Sequence, residues 1–170
     1  MFSADILGSN PTTLPVLAIT ARLAVAALLG AIIGFERELR NRPAGLRTHM
    51  LTSLAAAAFT VLTFEIYHEM VDLNAAIARL DPLRVIEAVT AGVAFLAAGA
   101  IIRSGGSIKG LTTGAGMWMA GAIGVACGSG FYVVAGVATV FVVAVTFVLG
   151  HVERRVLHTN GEPPEGTPER

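Results

Sequence analysis

Cysteine is almost missing from this sequence, and its scarcity excludes two kinds of site. The 170 residues include one cysteine, Cys127, so the chain cannot form an internal disulfide. A single thiolate also cannot build a structural zinc site, which needs several cysteine or histidine ligands. We therefore expect neither a disulfide-stabilised fold nor a cysteine-based metal centre.

Charged residues are also scarce. Asp, Glu, Lys and Arg make up 14% of the chain, hydrophobic residues make up 54%, and the mean hydropathy is +0.70. Soluble domains carry about 25% charged residues. The composition therefore excludes a disordered chain, a nucleic-acid-binding protein and an ordinary cytosolic enzyme, and it indicates an integral membrane protein.

Proline is confined to segments outside five long apolar stretches. A spanning helix needs about 20 mainly apolar residues, and a proline in its interior costs about 3 kcal/mol. The seven prolines all fall between or beyond the stretches, which favours unbroken helices. We predict an all-α integral membrane protein, a bundle of five transmembrane helices at residues 16–35, 49–67, 85–102, 111–128 and 131–150.

Basic residues are concentrated on one side of the predicted bundle. Eight lie in the first loop, the third loop and the flank after the last span: Arg37, Arg40, Arg42, Arg47, Arg103, Lys109, Arg154 and Arg155. Because Lys and Arg favour cytoplasmic loops, we expect the N-terminus outside and the C-terminus in the cytoplasm. Residues 1–15 are then an external segment, 73–80 a short surface helix, and 156–170 a disordered cytoplasmic tail.

Two parts of the sequence resemble each other. The letters GAII and GLRT at 30–33 and 45–48 correspond to GAII and GLTT at 99–102 and 110–113. The match indicates two equivalent hairpins, or it reflects how common glycine and isoleucine are in spans. Equivalent hairpins would bring two helix N-termini together at the cytoplasmic face, capped by Thr48 and by Thr112 or Thr113. Such a site attracts anions; alternatively, the threonines only cap helices.

Two charged residues fall within predicted spans. Arg22 lies inside the first span and Glu87 near the outer start of the third, and charge at such depth is costly. Arg22 is placed to pair with Glu87, or with Glu65 at the outer end of the second span. It is either a snorkelling or purely structural arginine, or part of a functional polar site.

A second cluster of charge is predicted at the inner end of the first span. Arg37 is explained there by the helix dipole, which favours a cation at a C-terminus. Glu36 opposes that dipole and should need a partner, for which Arg47 and Arg103 lie at the right depth. We take as the candidate cytoplasmic site Glu36, Arg37, Arg47, Thr48, Arg103, Thr112 and Thr113.

Small residues recur at helical spacing in the spans. Gly30 and Gly34 form one pair, and Gly116 and Gly124 belong to a stripe in the fourth span. Such stripes let helices approach closely, within the molecule or against a partner. Gly99 joins this packing set. Trp118 lies nearer mid-span than the interfacial belt that tryptophan prefers, so we expect it to face protein.

Enzyme motifs are missing from the sequence. The four histidines, His49, His68, His151 and His158, show no metal-ligand spacing. The glycine-rich segment at 105–110 is not a phosphate-binding loop, because glycine follows its lysine. We expect no enzymatic activity and no cofactor, and the pattern leaves open whether a metal binds.

Several runs are similar to those of the MgtC/SapB family. They are LGAIIGFER at 29–37, AGLRT at 44–48, FLAAG at 95–99, GLTT at 110–113, Trp118, and AIG at 122–124. The resemblance covers about residues 20–140. The chain resembles the short members, which lack a C-terminal cytoplasmic domain.

The sequence departs from the family pattern in two spans. It reads GVAFLAAG at 92–99 and TGAGMW at 113–118, where family members usually read GIGFLGAG and TAATLW. Gly116 therefore stands where members usually have threonine, and a possible polar group is missing from the fourth span.

The resemblance implies a bacterial inner-membrane protein tied to adaptation to low magnesium. In the MgtC branch it also implies virulence and restraint of the ATP synthase. We interpret the chain as a non-enzymatic regulator that contacts a membrane partner, for which the resemblance implies the ATP synthase. The alternative is a small transporter for Mg²⁺ or another cation or solute. A structural scaffold or homo-oligomer is a third interpretation, and none involves nucleic acid.

Overall fold

Five helices and one short hairpin make up the part of the chain that the structure describes. The computed structural model describes residues 11–72, 81, 83–104 and 107–157. The elements in chain order are α1 (Val16–Leu39), α2 (Leu46–Asp72), α3 (Arg84–Ala100), β1 (Ile102–Ser104), β2 (Ser107–Lys109), α4 (Leu111–Gly128) and α5 (Tyr132–Leu157). The five predicted helices are confirmed, with the addition of a two-stranded antiparallel sheet in the third loop. The proposed surface helix at 73–80 and the tail beyond Leu157 lie outside the described residues.

The helices differ in their capacity to cross a membrane. Within the described residues, α1, α2 and α4 are long and apolar enough to span it, and α5 has a shorter apolar part, Tyr132–Val148. The 17 residues of α3 reach about 25 Å, slightly less than a hydrocarbon core of about 30 Å. The membrane character of the bundle follows from these lengths, whereas the orientation of the N-terminus stays a prediction.

Local chemistry determines where the first two helices begin and end. The carbonyl of Pro15 accepts hydrogen bonds from the amides of Ala18 and Ile19 at 2.8 and 3.1 Å, which starts α1. The chain leaves α1 through a tight turn in which Asn41 and Ala44 have positive φ angles of 50° and 56°. The amide of Leu46 then donates to the Glu38 carboxylate at 3.0 Å, so Glu38 caps α2. The predicted cap from Thr48 was wrong, because Thr48 already lies within the helix.

Glycines bring α1, α2 and α4 into backbone contact. A Cβ on Gly30 would lie 2.6 Å from the carbonyl oxygen of His49, and one on Gly34 would lie 2.7 Å from the Cα of Leu46. On α4, a Cβ on Gly124 would collide with the Ser53 carbonyl, and one on Gly128 would lie 2.6 Å from the Ala57 carbonyl. These contacts make α2 and α4 parallel neighbours, with α1 antiparallel to both, and the glycine stripes serve packing within the molecule.

The remaining two helices lie at the edge of this three-helix core. Val89 and Val93 of α3 are buried against α4, and α5 packs against α1 and α4. Elsewhere α3 is loosely held: Gly92 and Gly99 have no atom within 4 Å of an added Cβ. Within the described residues, Gly99 therefore packs against no other helix, and a role for it in packing against a partner stays a prediction. Trp118 is 51% exposed, contrary to prediction, because α4 turns its glycine face to α2 and leaves Trp118 beside the loosely packed α3.

The two GAII segments differ in conformation. Residues 30–33 lie in the interior of α1, whereas α3 ends at Ala100 and β1 begins at Ile102. The segments that follow do correspond, since Gly45 and Gly110 each directly precede a helix that begins with leucine. The repeat therefore holds at the starts of α2 and α4 and not at the ends of α1 and α3.

We expect Gly124→Ala to destabilise the bundle by about 1–3 kcal/mol, because the added methyl overpacks the contact with α2. Gly92→Ala is the matched control, since it adds the same methyl to a helix where nothing lies within 4 Å. Thermal unfolding in detergent, followed by circular dichroism, measures the difference. Equal melting temperatures for the two variants would contradict the packing of α4 on α2.

Candidate functional site at the basic end of the bundle

Arg37 lies at the end of the bundle that carries the α1–α2 turn and the β1–β2 hairpin, here called the basic end. It belongs to the last turn of α1, where the helix dipole favours a cation, and it is 4% exposed. Its Nη2 donates to the hydroxyl of Thr113 on α4 and more weakly, at 3.5 Å, to the carbonyl of Pro43. One guanidinium thus links the end of α1 to the start of α4.

His49 lies beside Arg37, on the second turn of α2, and is fully buried. Its Nδ1 is 2.9 Å from the carbonyl oxygen of Gly45. Since a carbonyl oxygen can only accept, Nδ1 carries a proton. The neutral ring therefore presents an unprotonated Nε2, a hydrogen-bond acceptor, on its other side.

Arg37, His49, Ser53 and Thr113 form what we call the buried polar cluster. Three of its polar atoms are buried without a hydrogen-bond partner: Arg37 Nε, His49 Nε2 and Ser53 Oγ. An unpartnered buried polar group costs about 1–3 kcal/mol. Each of these three atoms therefore lowers the stability of the fold by about that amount.

Gly116 of α4 faces this cluster. A Cβ at Gly116 would lie 3.1 Å from His49 Nε2 and 3.9 Å from Arg37 Cδ. Nε2 and the Arg37 side chain therefore approach the same point on α4, and a glycine there leaves Nε2 facing backbone. Gly116 is thus located directly opposite the unpartnered imidazole nitrogen.

Charged residues around the cluster are paired or exposed. Glu36 forms an ion pair with Arg40 one turn later, and the Arg40 guanidinium lies 5.7 Å from the centre of the Phe147 ring on α5. Arg47 was one of two partners expected for Glu36. That expectation was wrong, because Arg47 is exposed. The side chain of Arg103 lies outside the described residues. The pairing with Arg40 follows from helical spacing, which brings residues four apart together.

At the opposite end of the bundle, the Arg22 side chain of α1 contacts the end of α4. Its Nη1 donates to the carbonyl oxygen of Gly128, at the C-terminus of α4, at 2.7 Å. The turn that follows needs Gly130, which has a φ of +83° and would place a Cβ 3.3 Å from Arg22 Nη2. A cation at a helix C-terminus is favourable, and this contact gives Arg22 a structural role.

The pairing of Arg22 with an acid was wrong. Glu65 accepts hydrogen bonds from the amide and hydroxyl of Thr13 at 2.6 and 2.8 Å and from the amide of Leu14 at 3.0 Å. Glu87 is exposed on α3. Two amides and a hydroxyl ahead of α1 thus satisfy the Glu65 carboxylate.

Among the described side chains, the structure brings together two of the predicted cytoplasmic site residues, Arg37 and Thr113. The N-cap of α4 is Gly110, in a left-handed conformation with no side-chain hydrogen bond, so the cap predicted from Thr112 or Thr113 was wrong. Thr112 is exposed, and the Thr113 hydroxyl accepts from Arg37 instead. Sequence reasoning missed His49 and Ser53, although their four-residue spacing places them on one face of α2 with Gly45.

Within the described residues, no three histidine, cysteine, aspartate or glutamate side chains are close enough to hold a metal ion. The chemistry available at the basic end is hydrogen bonding and charge, from one guanidinium, one imidazole and two hydroxyls. Such groups suit recognition of a polar or anionic group rather than coordination of a divalent cation.

The comparison with known proteins identifies the family. The MgtC family model matches residues 23–155, which include the whole buried polar cluster. The chain belongs to the MgtC family. It is 43% identical over 129 residues to Protein MgtC of Brucella abortus, covering 76% of this chain and 50% of that protein.

Two further relatives of this MgtC-family chain have other names. Protein SapB of Bacillus subtilis is 34% identical over 139 residues, 81% of this chain and 59% of SapB. The "Putative magnesium transporter YhiD" of Escherichia coli is 35% identical over 139 residues, 82% of this chain and 64% of YhiD. The chain thus spans about half to under two thirds of the curated relatives it matches. No solved structure matches it.

We expect Thr113→Val to destabilise this MgtC-family protein by about 2 kcal/mol, because valine has the same shape and removes the acceptor of a charged, buried donor. Thr112→Val is the control, since Thr112 is exposed one residue away. Chemical denaturation in detergent measures both variants. If Thr112→Val costs as much as Thr113→Val, the Arg37–Thr113 contact does not stabilise the basic end.

Proposed function

We propose that this protein is a non-enzymatic regulator of adaptation to low magnesium in the bacterial inner membrane, acting through contact with another membrane protein. The basic end would lie in the cytoplasm, as the positive-inside rule requires. Membership of the MgtC family supports the link to magnesium, because the family resemblance implies a role in adaptation to low magnesium.

One observation favours a regulator over a cation carrier. A guanidinium lies at each end of the α1–α2–α4 core, Arg37 at the basic end and Arg22 at the other. Both are cations inside or against closely packed helices. A divalent cation that followed this core would meet like charge at entry and at exit, where repulsion is strong because little water screens it.

The arrangement of glycines favours α3 as the surface for a partner. Gly30 and Gly34 of α1 and Gly124 and Gly128 of α4 are occupied by α2 or the residue before it, whereas Gly92 and Gly99 of α3 have no neighbour within 4 Å of an added Cβ. They are seven residues apart and so lie on nearly the same face. Phe95, between them, is 80% exposed. We place on this face one transmembrane helix of the regulated membrane protein, since small residues allow close helix approach in lipid. The ATP synthase is the partner that the family resemblance suggests.

A small transporter for Mg²⁺ or another cation or solute is the second candidate. The name of YhiD refers to magnesium transport, and that relative shares most of the membrane part. Two largely apolar cavities of about 690 and 810 Å³ also flank α3. Their linings suit hydrocarbon better than a hydrated ion, which is why the regulator is preferred.

Magnesium flux into proteoliposomes that hold the purified protein separates the two candidates. We expect no flux above that of protein-free vesicles, because the core is closed by arginine at both ends. Saturable flux that Glu36→Gln or Arg22→Leu lowers would instead establish the transporter. Each variant is first tested for correct folding, so that loss of flux cannot come from loss of protein.

The α3 surface is tested by growth in low magnesium of a strain that depends on this protein. We expect Gly92→Leu to abolish the growth advantage without lowering the melting temperature, because leucine blocks close approach of a partner helix. Ala144→Leu, on the exposed side of α5, is the control and should retain full activity. Normal growth with Gly92→Leu would remove α3 as the partner surface.

A further inference from the structure

A groove runs between α2 and α3, from the end of the bundle opposite the basic end towards its middle. We call it the α2–α3 groove. Its cavity has a volume of about 690 Å³, and its lining on α3 extends from Arg84 to Leu96, which is about 18 Å at 1.5 Å per residue. One leaflet is half of the hydrocarbon core, about 15 Å. The groove therefore matches one leaflet in length.

The walls of the α2–α3 groove are apolar along this length. Most of the lining consists of aliphatic and aromatic side chains of the two helices. Thr52 and Thr63 also line it, but their hydroxyls donate to the carbonyls of Thr48 and Phe59, one turn earlier on α2, both at 2.8 Å. Away from its mouth the groove therefore suits hydrocarbon.

The floor of the α2–α3 groove is narrow. Ala56 of α2 packs with Val89 and Val93 of α3 and with Met117 of α4 in one cluster, so the two helices converge there. A partner helix, about 10–12 Å across with its side chains, would cover the groove without reaching this floor. An acyl chain is much thinner and can enter it.

Charge is confined to the mouth of the α2–α3 groove. Asp81 and Arg84 are the charged residues in its lining, and Tyr67 lines the same end from α2. The Asp81 carboxylate accepts from the amide of Leu83 at 2.9 Å, which holds it at the start of α3. Arg84 is exposed, and in the part of the chain that the structure describes its guanidinium forms no ion pair.

The other charged side chains that the structure describes at this end do not contribute to the mouth. Glu65 and Arg22 are bonded to backbone groups elsewhere, and Glu69 and Glu87 are not part of the lining. One carboxylate and one guanidinium therefore face a ligand at the mouth, and their charges balance. This pair is complementary to a ligand that carries one anionic and one cationic group.

We propose that the α2–α3 groove binds one phospholipid whose zwitterionic head group carries a primary ammonium, as in phosphatidylethanolamine. One acyl chain lies in the groove, the phosphate accepts hydrogen bonds from Arg84, and the ammonium donates to Asp81. Guanidinium–phosphate contacts are charge-assisted and often bidentate. Tyr67 lies at the level where tyrosine prefers to meet the membrane surface. With the basic end in the cytoplasm, the lipid belongs to the outer leaflet.

The lipid site goes beyond the regulatory function proposed above and does not depend on it. Lipid binding requires neither magnesium nor a protein partner, so purified protein is sufficient for the test. Gly92 also lines the groove. The test therefore leaves Gly92 unchanged, so that its outcome is separate from that of the growth experiment.

Native mass spectrometry of the purified full-length protein, delipidated in detergent, tests the proposal. Phosphatidylethanolamine, phosphatidylglycerol and phosphatidylcholine with identical acyl chains are titrated separately. We expect one molecule of the ethanolamine lipid to bind at least about threefold more tightly than either of the others, a modest factor because the charges at the mouth are exposed. The glycerol lipid lacks an ammonium, and the choline lipid has an ammonium without N–H donors. This comparison needs no variant.

Variants separate the head-group contacts from the groove. Asp81→Asn keeps an acceptor for the Leu83 amide but should lose the preference for the ethanolamine lipid, and Arg84→Gln should weaken binding of all three lipids by at least about threefold. Ala55→Phe fills the groove from α2 and should weaken all three by about tenfold. Ala144→Phe, on the exposed side of α5, is the matched control and should bind as the wild type does.

Three results would each overturn the proposal: no preference among the head groups in the wild type, an unchanged preference in Asp81→Asn, or equal lipid binding by Ala55→Phe and Ala144→Phe. The same spectra report the oligomeric state. If Ala55→Phe converts a dimer to a monomer and leaves lipid binding unchanged, a second copy of the chain occupies the groove instead. Melting temperatures of the two phenylalanine variants show whether a loss of binding comes from loss of the fold.

Discussion

The contact of α1 and α4 with the backbone of α2 is the constraint on which the rest of the structure depends. In lipid, helices gain little from hydrophobic association and are held by van der Waals contact and hydrogen bonds. Glycine at 30, 34, 124 and 128 removes the side chains that would keep the backbones apart. Once the three helices are this close, the residues between them at the basic end are sealed from water and lipid.

The buried polar cluster is a consequence of that closeness. If α4 stood further away, Arg37 would lie in water like other basic residues at this end of the bundle. Here it is enclosed, and it reaches the Thr113 hydroxyl and the Pro43 carbonyl for partners. His49 is held by the Gly45 carbonyl in an orientation that leaves Nε2 facing α4. The packing that stabilises the core thus creates the positive, incompletely satisfied site at its end.

α3, at the edge of the bundle, is packed less closely than the three core helices. α3 is buried at Val89 and Val93 and partly buried at Ala97 and Ala100, and much of its remaining surface is exposed. A helix held on one side can move or accept a neighbour more easily than one enclosed by three others. The buried polar cluster thus belongs to the closed core, whereas the loosely packed surface belongs to α3.

The sequence by itself determined the helices. Apolar length, the exclusion of proline and the glycine spacing were enough to predict five spans, because secondary structure in a membrane is decided by local hydropathy and backbone hydrogen bonding. The runs around Arg37 and Gly45 were likewise enough to predict the family. Arg37 and Thr113 could be selected because a cation at a helix C-terminus and a threonine at a helix start are local signals.

Only the tertiary structure decided which residues meet. The partner of Arg22 is a backbone carbonyl at the end of α4, which no residue-type pattern reveals. Glu65 binds Thr13 and Leu14 rather than the arginine expected from its depth in the membrane. Glu36 pairs with Arg40, one turn away on the same helix. His49 and Ser53 carried no signal in the sequence. Their burial depends on the rotation of α2 against Gly30, Gly116 and Gly124. Hydropathy depends on each residue singly, whereas a site depends on how separate helices are rotated against one another, and that rotation is settled by packing.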